Sequence, residues 1–311
     1  MRLATISLHG RSLAAVILAD ERALVLEAAA KAGGLAPDLA EVLATGSLQA
    51  LIDAGPAAID GVRRLEAAAQ AGGLGNAIVA AADVVLRAPL PQPVKNVFCV
   101  GRNYREHIAE GERAENVTVG VSENPVFFTK PQTAVVGPNE TVPIFPNVST
   151  KIDYEVELAV VIGKRGRDIP AERAYEYVLG YTILNDVTAR DVQRAHGGQY
   201  FKGKGLDGSC PIGPWIVTAD AIKDPAALGL STRINGELRQ DGTTSDMICD
   251  IPTLIASLSK GLTLDPGDIL ATGTPSGVGY AMDPPSWLKD GDVMVLEIEG
   301  IGRLENRMRT E

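Results

Sequence analysis

Histidine and cysteine are both scarce in this chain, with three of each among 311 residues. The cysteines stand at positions 99, 210 and 249, without a Cys-x-x-Cys spacing, and the histidines at 9, 107 and 196 are equally scattered. This pattern excludes a disulfide framework and a thiolate or multi-histidine zinc site, and it favours a reducing compartment. Any bound metal is therefore expected to be a hard cation held mainly by oxygen atoms.

The sequence also has no excess of basic residues and no basic run. It contains 29 Lys and Arg against 39 Asp and Glu, for a formal net charge of −10. This balance argues against nucleic acid and against an anionic membrane as partners, because phosphate binding needs clustered Lys and Arg. Apolar runs stay below the ~18 residues of a membrane span. The stretch 13–19 ends at Asp20-Glu21 without the cleavage pattern of a signal peptide. We expect a cytoplasmic protein with a small-molecule partner.

Aromatic residues are missing from the first part of the chain, where the earliest is Phe98. The first 92 residues are instead rich in alanine, and three prolines follow one another closely over 88–93. Two stretches that differ so much in side-chain volume are not expected to share one core. We therefore predict a small N-terminal accessory domain over 1–92 and a catalytic domain over 93–311, joined by an extended link.

Hydrophobic periodicity predicts an α+β protein whose larger domain is mainly β. In the N-terminal domain it predicts a hairpin of strands 3–8 and 13–18, followed by helices over 23–31, 37–44, 47–54 and 57–70. The first of these helices is predicted to end before Gly33-Gly34. In the catalytic domain it predicts strands over 94–100, 126–129, 155–162, 178–184, 215–218, 231–234 and 293–298, with helices over 171–179, 188–195 and 252–261.

Three carboxylates alternate along one predicted strand, namely Asp153, Glu155 and Glu157. Alternation places them on one face, which is either a solvated strand face or the source of two ligands for one hard divalent cation. Asp186, which ends the apolar stretch 181–184, either caps the following helix or supplies a third ligand. Three protein oxygens would leave positions open for water and substrate, as a catalytic Mg²⁺ or Mn²⁺ site requires.

A histidine and a glutamate are spaced three apart after Gly101. If a helical turn begins near Tyr104, His107 and Glu110 lie on the same side. A carboxylate that orients an imidazole is the arrangement of a general base. The alternative is a surface histidine in a charged turn.

Two glycine-rich stretches invite a functional interpretation. Residues 203–208 match G-x-G-x-x-G, but no helix can start at the following Ser209-Cys210-Pro211, so a dinucleotide site is disfavoured. Lys204 in this predicted loop either stabilises an oxyanion or is simply exposed. The backbone N–H groups of 273–279 could receive a carboxylate, or this stretch is a plain turn. No G-x-S-x-G elbow is present, which disfavours a serine hydrolase, and Cys210 is expected to be buried packing.

Taken in chain order, five motifs resemble those of the fumarylacetoacetate hydrolase family. The resemblance covers about residues 94–305, and its specificity comes from the order of the motifs. They are Gly101-Arg102-Asn103-Tyr104 with His107 and Glu110, the stretch 153–158, the stretch 185–191, Lys202-Gly203-Lys204 with 206–208 and Cys210-Pro211, and the stretch 272–279.

The resemblance implies a mixed β-sandwich roll, a homodimer and a Mg²⁺ or Mn²⁺ site, with Ca²⁺ as a substitute. It also implies specific roles for ten residues of this chain. Glu155, Glu157 and Asp186 match the metal ligands, and Lys204 matches a lysine that faces the reacting oxygen. His107 and Glu110 match a catalytic dyad on a short mobile helix, while Arg102, Tyr104, Gln193 and Thr274 fall at substrate-contact positions.

The resulting hypothesis is a divalent-metal-dependent hydrolase that cleaves a C–C bond of an acylpyruvate or β-diketo acid. His107 and Glu110 would activate water, and the reaction would pass through a metal-bound enolate. The alternative is a decarboxylase, isomerase or hydratase of a related 2-oxo dicarboxylic acid, such as oxaloacetate, on the same site. A non-catalytic dicarboxylate-binding protein and a nicotinamide oxidoreductase are weaker alternatives, because the first leaves the dyad unused and the second lacks its nucleotide-binding unit.

Overall fold

The fold is described from a computed structural model, which covers residues 1–32 and 35–311. The predicted helix end at Gly33-Gly34 lies outside these residues. The α-helices within them are α1 (Leu26–Lys31), α2 (Pro37–Ala44), α3 (Leu48–Asp53), α4 (Pro56–Gln70), α5 (Arg105–Glu115), α6 (Arg190–Ala195), α7 (Phe201–Lys204) and α8 (Ile251–Ser259).

The β-strands outnumber the helices, which confirms a mixed α+β protein that is mainly β. They are β1 (Arg2–Leu8), β2 (Arg11–Ile17), β3 (Ala23–Val25), β4 (Ile78–Val79), β5 (Val85–Leu86), β6 (Val97–Gly101), β7 (Val126–Lys130), β8 (Val135–Val136), β9 (Thr141–Ile144), β10 (Ile152–Asp153), β11 (Val156–Ile162), β12 (Val178–Asn185), β13 (Thr188–Ala189), β14 (Cys210–Thr218), β15 (Gly229–Ile234), β16 (Glu237–Thr243), β17 (Ile269–Ala271), β18 (Val293–Ile298) and β19 (Gly302–Thr310).

Two sheets form the framework. The larger has twelve strands, with the main order β4-β3-β2-β1-β14-β12-β11-β17-β6-β7, while β5 and β8 pair with β1 and β14. The smaller has the order β16-β15-β18-β19-β9, and β10 pairs with β13 separately. β6 and β17 run parallel, with Cys99 opposite Ala271. Because parallel strands end at the same edge of a sheet, the segments that follow these two strands meet there.

Strand β11 is buried on both faces, and its two faces contact different cores. Leu158 and Val160 belong to a large hydrophobic cluster that also contains residues of the smaller sheet, such as Leu296. Ala159 and Val161, which point the other way, belong to a second cluster. The continuous apolar run is thus explained by burial on both sides.

The second cluster joins the alanine-rich part of the chain to the rest. It contains Leu3, Leu51 and Val62 from the first 92 residues together with Val161 and Ile269. Strand β1 also pairs directly with β14 in the large sheet. The expectation that the two parts have separate cores is therefore wrong, because leucine and valine side chains of the first part pack in the same cluster as residues of the large sheet. The division at residue 92 stays a prediction.

Most predicted elements are present with small changes at their ends. The N-terminal hairpin and the helices predicted over 37–44, 47–54 and 57–70 are confirmed. Three predicted helices need correction, since 23–31 begins as strand β3, 171–179 is a 3₁₀-helix followed by β12, and 188–195 begins as β13. Each includes residues that pair with a neighbouring strand, and such tertiary pairing overrides local helix propensity. Within the described ranges, no helix combines the length and apolar character needed to cross a membrane.

Candidate active site and metal centre

Strand register brings two of the predicted metal ligands together. β11 and β12 are antiparallel, with Val156 opposite Asn185, so that Glu155 and Asp186 are neighbours just beyond the paired residues. The backbone N–H of Asp186 donates to the carbonyl of Glu155 over 2.9 Å. The Asn185 side-chain oxygen accepts the N–H of Glu155 over 3.0 Å. Backbone pairing therefore fixes this part of the site.

Glu155, Glu157 and Asp186 form one buried carboxylate cluster. Each offers an oxygen atom, and these atoms all lie within 4.8 Å of one another. Burial, together with the neighbouring Asp186 and Glu155, raises the pKa of Glu157 well above its ordinary value. Burial alone would also raise the pKa of Glu155, but Lys204 and Arg190 outweigh it and hold that pKa at about 2. The interpretation of these carboxylates as a solvated strand face is thus wrong.

Three buried cations surround the cluster. Lys204 Nζ donates to Glu155 Oε2 over 2.9 Å and to Asp186 Oδ2 over 2.6 Å. Lys130 Nζ lies 2.7 Å from Asp186 Oδ1, and Arg190 Nη1 lies 2.7 Å from Glu155 Oε1. Burial favours the neutral form of Lys204, but Asp186 and Glu155 outweigh it and raise its pKa above the ordinary value. Lys204 therefore stays charged at neutral pH.

Lys204 itself is placed differently from the prediction. It is the last residue of the short helix α7 rather than part of a loop, and its side chain is buried. Gly203 permits this position, because a Cβ there would lie 2.4 Å from the backbone nitrogen of Gln193 in α6. The close packing of α6 and α7 thus points Lys204 at the carboxylates.

The glycine-rich stretch 273–279 receives carboxylates, as predicted, and all three belong to the protein. The N–H groups of Gly273, Gly277 and Gly279 donate to Glu157, Glu110 and Asp153, respectively, over 2.8, 2.8 and 2.7 Å. This stretch follows β17, which pairs with β11, so it begins beside the carboxylate cluster. One loop therefore holds a predicted metal ligand, the predicted dyad and a buried aspartate in fixed relation.

His107 and Glu110 form the predicted pair on helix α5. His107 Nδ1 and Glu110 Oε1 are 2.8 Å apart. The other carboxylate oxygen of Glu110 accepts the N–H of Gly277. A carboxylate only accepts, so Nδ1 carries the proton of this hydrogen bond and Nε2 is left as the basic nitrogen. The interpretation of His107 as a surface residue is excluded, since its side chain is 13% exposed.

His107, Glu155, Glu157 and Lys204 line a single cavity of about 280 Å³. Arg102, Gln193 and Thr274 line it, as the resemblance implies, but Tyr104 does not. Tyr104 is 1% exposed, and its backbone pairs with Met247. Its predicted contact with substrate is therefore corrected to a buried position at the start of α5. Other residues lining the cavity are Val100, Ile108, Val117, Val119, Phe128, Arg190, Arg194, Tyr200 and Tyr280.

Several residues of the site have no role in the sequence prediction. Lys130 and Arg190 are buried cations, and the alternation of polar and apolar residues in the sequence does not predict that either of them is buried. Asp153 is predicted on the same strand face as the ligands, but it lies in the short strand β10 and binds Arg190 Nε over 2.9 Å rather than joining the cluster. Tyr280 lines the cavity and directly follows the glycine-rich stretch 273–279, which is the sequence feature that points to this part of the chain. Cys210 is buried, as predicted, and burial raises its pKa to about 12.

The cluster fits a hard divalent cation. Its donors are carboxylate oxygens, which Mg²⁺ and Mn²⁺ prefer, and two of the three residues, Glu155 and Glu157, line a cavity that leaves room for further oxygen ligands. Four buried carboxylates, including Asp153, stand beside three buried cations, so one carboxylate has no cation to balance it when all four are ionised. Burial, with Asp186 and Glu155 nearby, raises the pKa of Glu157, and a divalent cation would favour its ionised form.

The family follows from a comparison with known sequences. The model of the fumarylacetoacetate (FAA) hydrolase C-terminal domain matches residues 96–309. The chain belongs to the fumarylacetoacetate hydrolase family. This confirms the resemblance seen in the motifs, and the family match ends within the last strand, β19.

Individual members of the fumarylacetoacetate hydrolase family match the chain over its whole length. Oxaloacetate tautomerase YisK of Bacillus subtilis is 44% identical, over 99% of this chain and 100% of its own. The structure of a fumarylacetoacetate hydrolase from Exiguobacterium antarcticum superposes with a TM-score of 0.80 and 39% identity, covering all of both chains. A maleylpyruvate hydrolase from Sphingobium sp. SYK-6, solved with manganese(II) and pyruvate, has a TM-score of 0.75 and 32% identity, over 100% of this chain and 99% of its own.

Proposed function

We propose that this protein is a divalent-metal-dependent tautomerase of a small 2-oxo dicarboxylic acid such as oxaloacetate. The full-length match to an oxaloacetate tautomerase carries this proposal. It favours the isomerase alternative of the sequence analysis over the C–C hydrolase. The chemistry of the cavity agrees with it, because proton transfer next to a ketone needs a base, an acid and compensation for charge on oxygen.

The cavity suits a dianionic substrate. Arg102 and Arg190 line it together with Gln193, an amide donor, while Arg194, also on the lining, pairs with Glu115. Arg190 is buried, and its Nη2 atom has no hydrogen-bond partner among the described residues. A buried guanidinium nitrogen without a partner is costly, so a substrate carboxylate or a water bound there would stabilise it.

A divalent cation on the carboxylate cluster would polarise a coordinated ketone and make the adjacent C–H group more acidic. Lys204 stays protonated and lies within hydrogen-bond distance of two of these carboxylates. It would therefore place a positive charge next to the oxygen on which negative charge develops.

The dyad supplies the proton transfer. His107 Nε2 takes a proton from the methylene carbon between the ketone and the distal carboxylate. The C–H electron pair becomes the C=C bond, and the π electrons of the carbonyl move to its oxygen, which takes the proton back from His107 Nε2 to give the enol. Glu110 keeps the imidazole oriented and stabilises its positive charge once it is protonated. The reverse sequence returns the keto form.

A C–C hydrolase of acylpyruvates is the second candidate. One observation favours it, since a maleylpyruvate hydrolase superposes on the whole chain. The same His107 would then deprotonate a water molecule rather than carbon. Decarboxylation of the same 2-oxo acid needs no such water and is the remaining alternative.

Oxaloacetate freshly dissolved as its enol provides the test. Decay of the enol absorbance is followed with Mg²⁺ or Mn²⁺, after EDTA, and with His107→Ala in place of the wild type. We expect metal-dependent acceleration that the variant loses, without release of pyruvate. Pyruvate and CO₂ from oxaloacetate would indicate a decarboxylase. Cleavage of acylpyruvates with no effect on the enol would replace the tautomerase with the hydrolase.

A further inference from the structure

Tyr280 makes an unusually close approach to the helix that carries the dyad. A Cβ atom built on Gly111 of α5 would lie 2.4 Å from the hydroxyl oxygen of Tyr280 and 3.6 Å from its Cζ atom. Glycine is unfavourable inside a helix, and the backbone of Gly111 has no left-handed φ that would require it. The close approach of the hydroxyl group explains the glycine.

Tyr280 is itself firmly held. Its backbone N–H donates to Asp153 Oδ2 over 3.1 Å, and Asp153 also binds Arg190. The guanidinium carbons of Arg190 and Arg194 lie 4.5 and 5.2 Å from the centre of its ring. Such cation–π contacts resist rotation of the ring. The hydroxyl group is therefore a fixed point relative to the carboxylate cluster.

Helix α5 is tied to the same loop one residue earlier. Glu110 accepts the N–H of Gly277, which draws the helix toward the stretch 273–279. At the next residue, the Tyr280 hydroxyl oxygen lies 2.4 Å from the position that a Cβ atom of residue 111 would take, so nothing larger than glycine fits there without a shift. The His107 ring lies 6.5 Å from the Tyr280 ring, nearly perpendicular to it at 81°. Together, the hydrogen bond from Gly277 to Glu110 and the position of the Tyr280 hydroxyl group constrain the distance between His107 and the carboxylate cluster.

We propose that Tyr280 is a positioning residue that sets the distance between the His107–Glu110 dyad and the metal centre through its contact with Gly111. The kinetic part of its test rests on the proposed tautomerase function. A Cβ at position 111 needs about 3.4 Å where 2.4 Å is available, so the contact must open by about 1 Å. A misplacement of about 1 Å at a catalytic group can lower a rate by about 10²-fold.

The test uses a pair of substitutions that compensate one another. Gly111→Ala should lower kcat by up to about 10²-fold with a smaller change in KM, because Arg190, Gln193 and Thr274 lie on other elements. Tyr280→Phe alone should lower kcat less. The double variant should regain most of the lost kcat, since without the hydroxyl oxygen the nearest ring atom would be Cζ at 3.6 Å. Gly75→Ala is the matched control, since a Cβ there meets nothing within 4 Å.

Two further measurements do not depend on the substrate. The Mn²⁺ affinity of Gly111→Ala should equal that of the wild type, because the carboxylates are not on α5. The side-chain NMR signals of His107, one of only three histidines, should shift in Gly111→Ala and return in the double variant. If the wild type lacks tautomerase activity, these signals still test the positioning role.

Three outcomes would overturn the proposal. Wild-type turnover and unshifted His107 signals in Gly111→Ala would mean that the Tyr280 ring moves away from the new Cβ atom while helix α5 keeps its position. A double variant as impaired as Gly111→Ala would show that the hydroxyl contact is not the cause. A loss in Tyr280→Phe as large as in Gly111→Ala would assign the hydroxyl group to the substrate.

Discussion

Asp153→Asn should destabilise the protein strongly, although it replaces only one oxygen atom. The Asp153 carboxylate is fully buried and accepts four hydrogen bonds, two on each oxygen. The donors on Oδ1 are the N–H groups of Tyr154 and Gly279 at 3.0 and 2.7 Å. Those on Oδ2 are the N–H of Tyr280 at 3.1 Å and Arg190 Nε at 2.9 Å.

An asparagine has one oxygen, so two of these donors would face an NH₂ group instead of an acceptor. Hydrogen bonds to charged groups contribute about 1.5–3 kcal/mol each, and two lost bonds therefore cost about 3–6 kcal/mol. Ordinary stability is about 5–15 kcal/mol, so a protein near the middle of that range would remain folded after this loss.

Urea unfolding of the metal-free protein at pH 7 measures this loss. Asp220→Asn is the matched control, because Asp220 is 54% exposed and pairs with Arg63 at the surface. Exposed pairs contribute about 0–1 kcal/mol, so the control should unfold nearly as the wild type does. If Asp153→Asn were no less stable than Asp220→Asn, the assignment of Asp153 as the anchor of residues 279 and 280 would be refuted.

Three more predictions concern the base, the metal and the central sheet. His107→Ala should lose about 10²–10⁴-fold in kcat, while its Mn²⁺ affinity, measured by calorimetry, should stay unchanged. If the variant kept the wild-type turnover, the proposed role of His107 and Glu110 as a general base would be wrong. Because the pKa of Glu157 is raised, the metal-free site holds a proton that binding must expel, so Mn²⁺ affinity should rise with pH up to that pKa. Calorimetry in buffers of different ionisation enthalpy should then show proton release at low pH, and no dependence on buffer would contradict it. Gly180→Ala should lower the unfolding midpoint, because its Cβ would lie 2.1 Å from the carbonyl oxygen of Val217, whereas unchanged stability would show that β12 and β14 can separate there.

Much of the candidate site could be predicted from sequence because its residues lie close together in the chain or on regular elements. Glu155 and Glu157 need only strand alternation, and His107 with Glu110 needs only helical spacing. Asp186 joins them through antiparallel register, which the motif order implies but spacing alone does not.

The unpredicted residues act across long sequence separations. Lys130 reaches Asp186 from another strand, and Tyr280 reaches Gly111 through the loop after β17. A lone lysine or tyrosine carries no periodic signal, so only the tertiary structure identifies its partner. The shared core was missed for a related reason, since composition describes side-chain volume but not which sheet the helices cover.

The pairing of β1 with β14 has a consequence for the order of folding. Arg2 lies opposite Val217, so β1 is synthesised more than 200 residues before the strand with which it pairs. Such long-range pairing slows folding, because loop closure comes before the contacts that stabilise it. A chain shortened to residues 93–311 would leave β14 without β1 and expose a hydrogen-bonding edge together with the apolar surface beneath it. Such an edge recruits other chains, so we expect the shortened protein to aggregate rather than to report on catalysis.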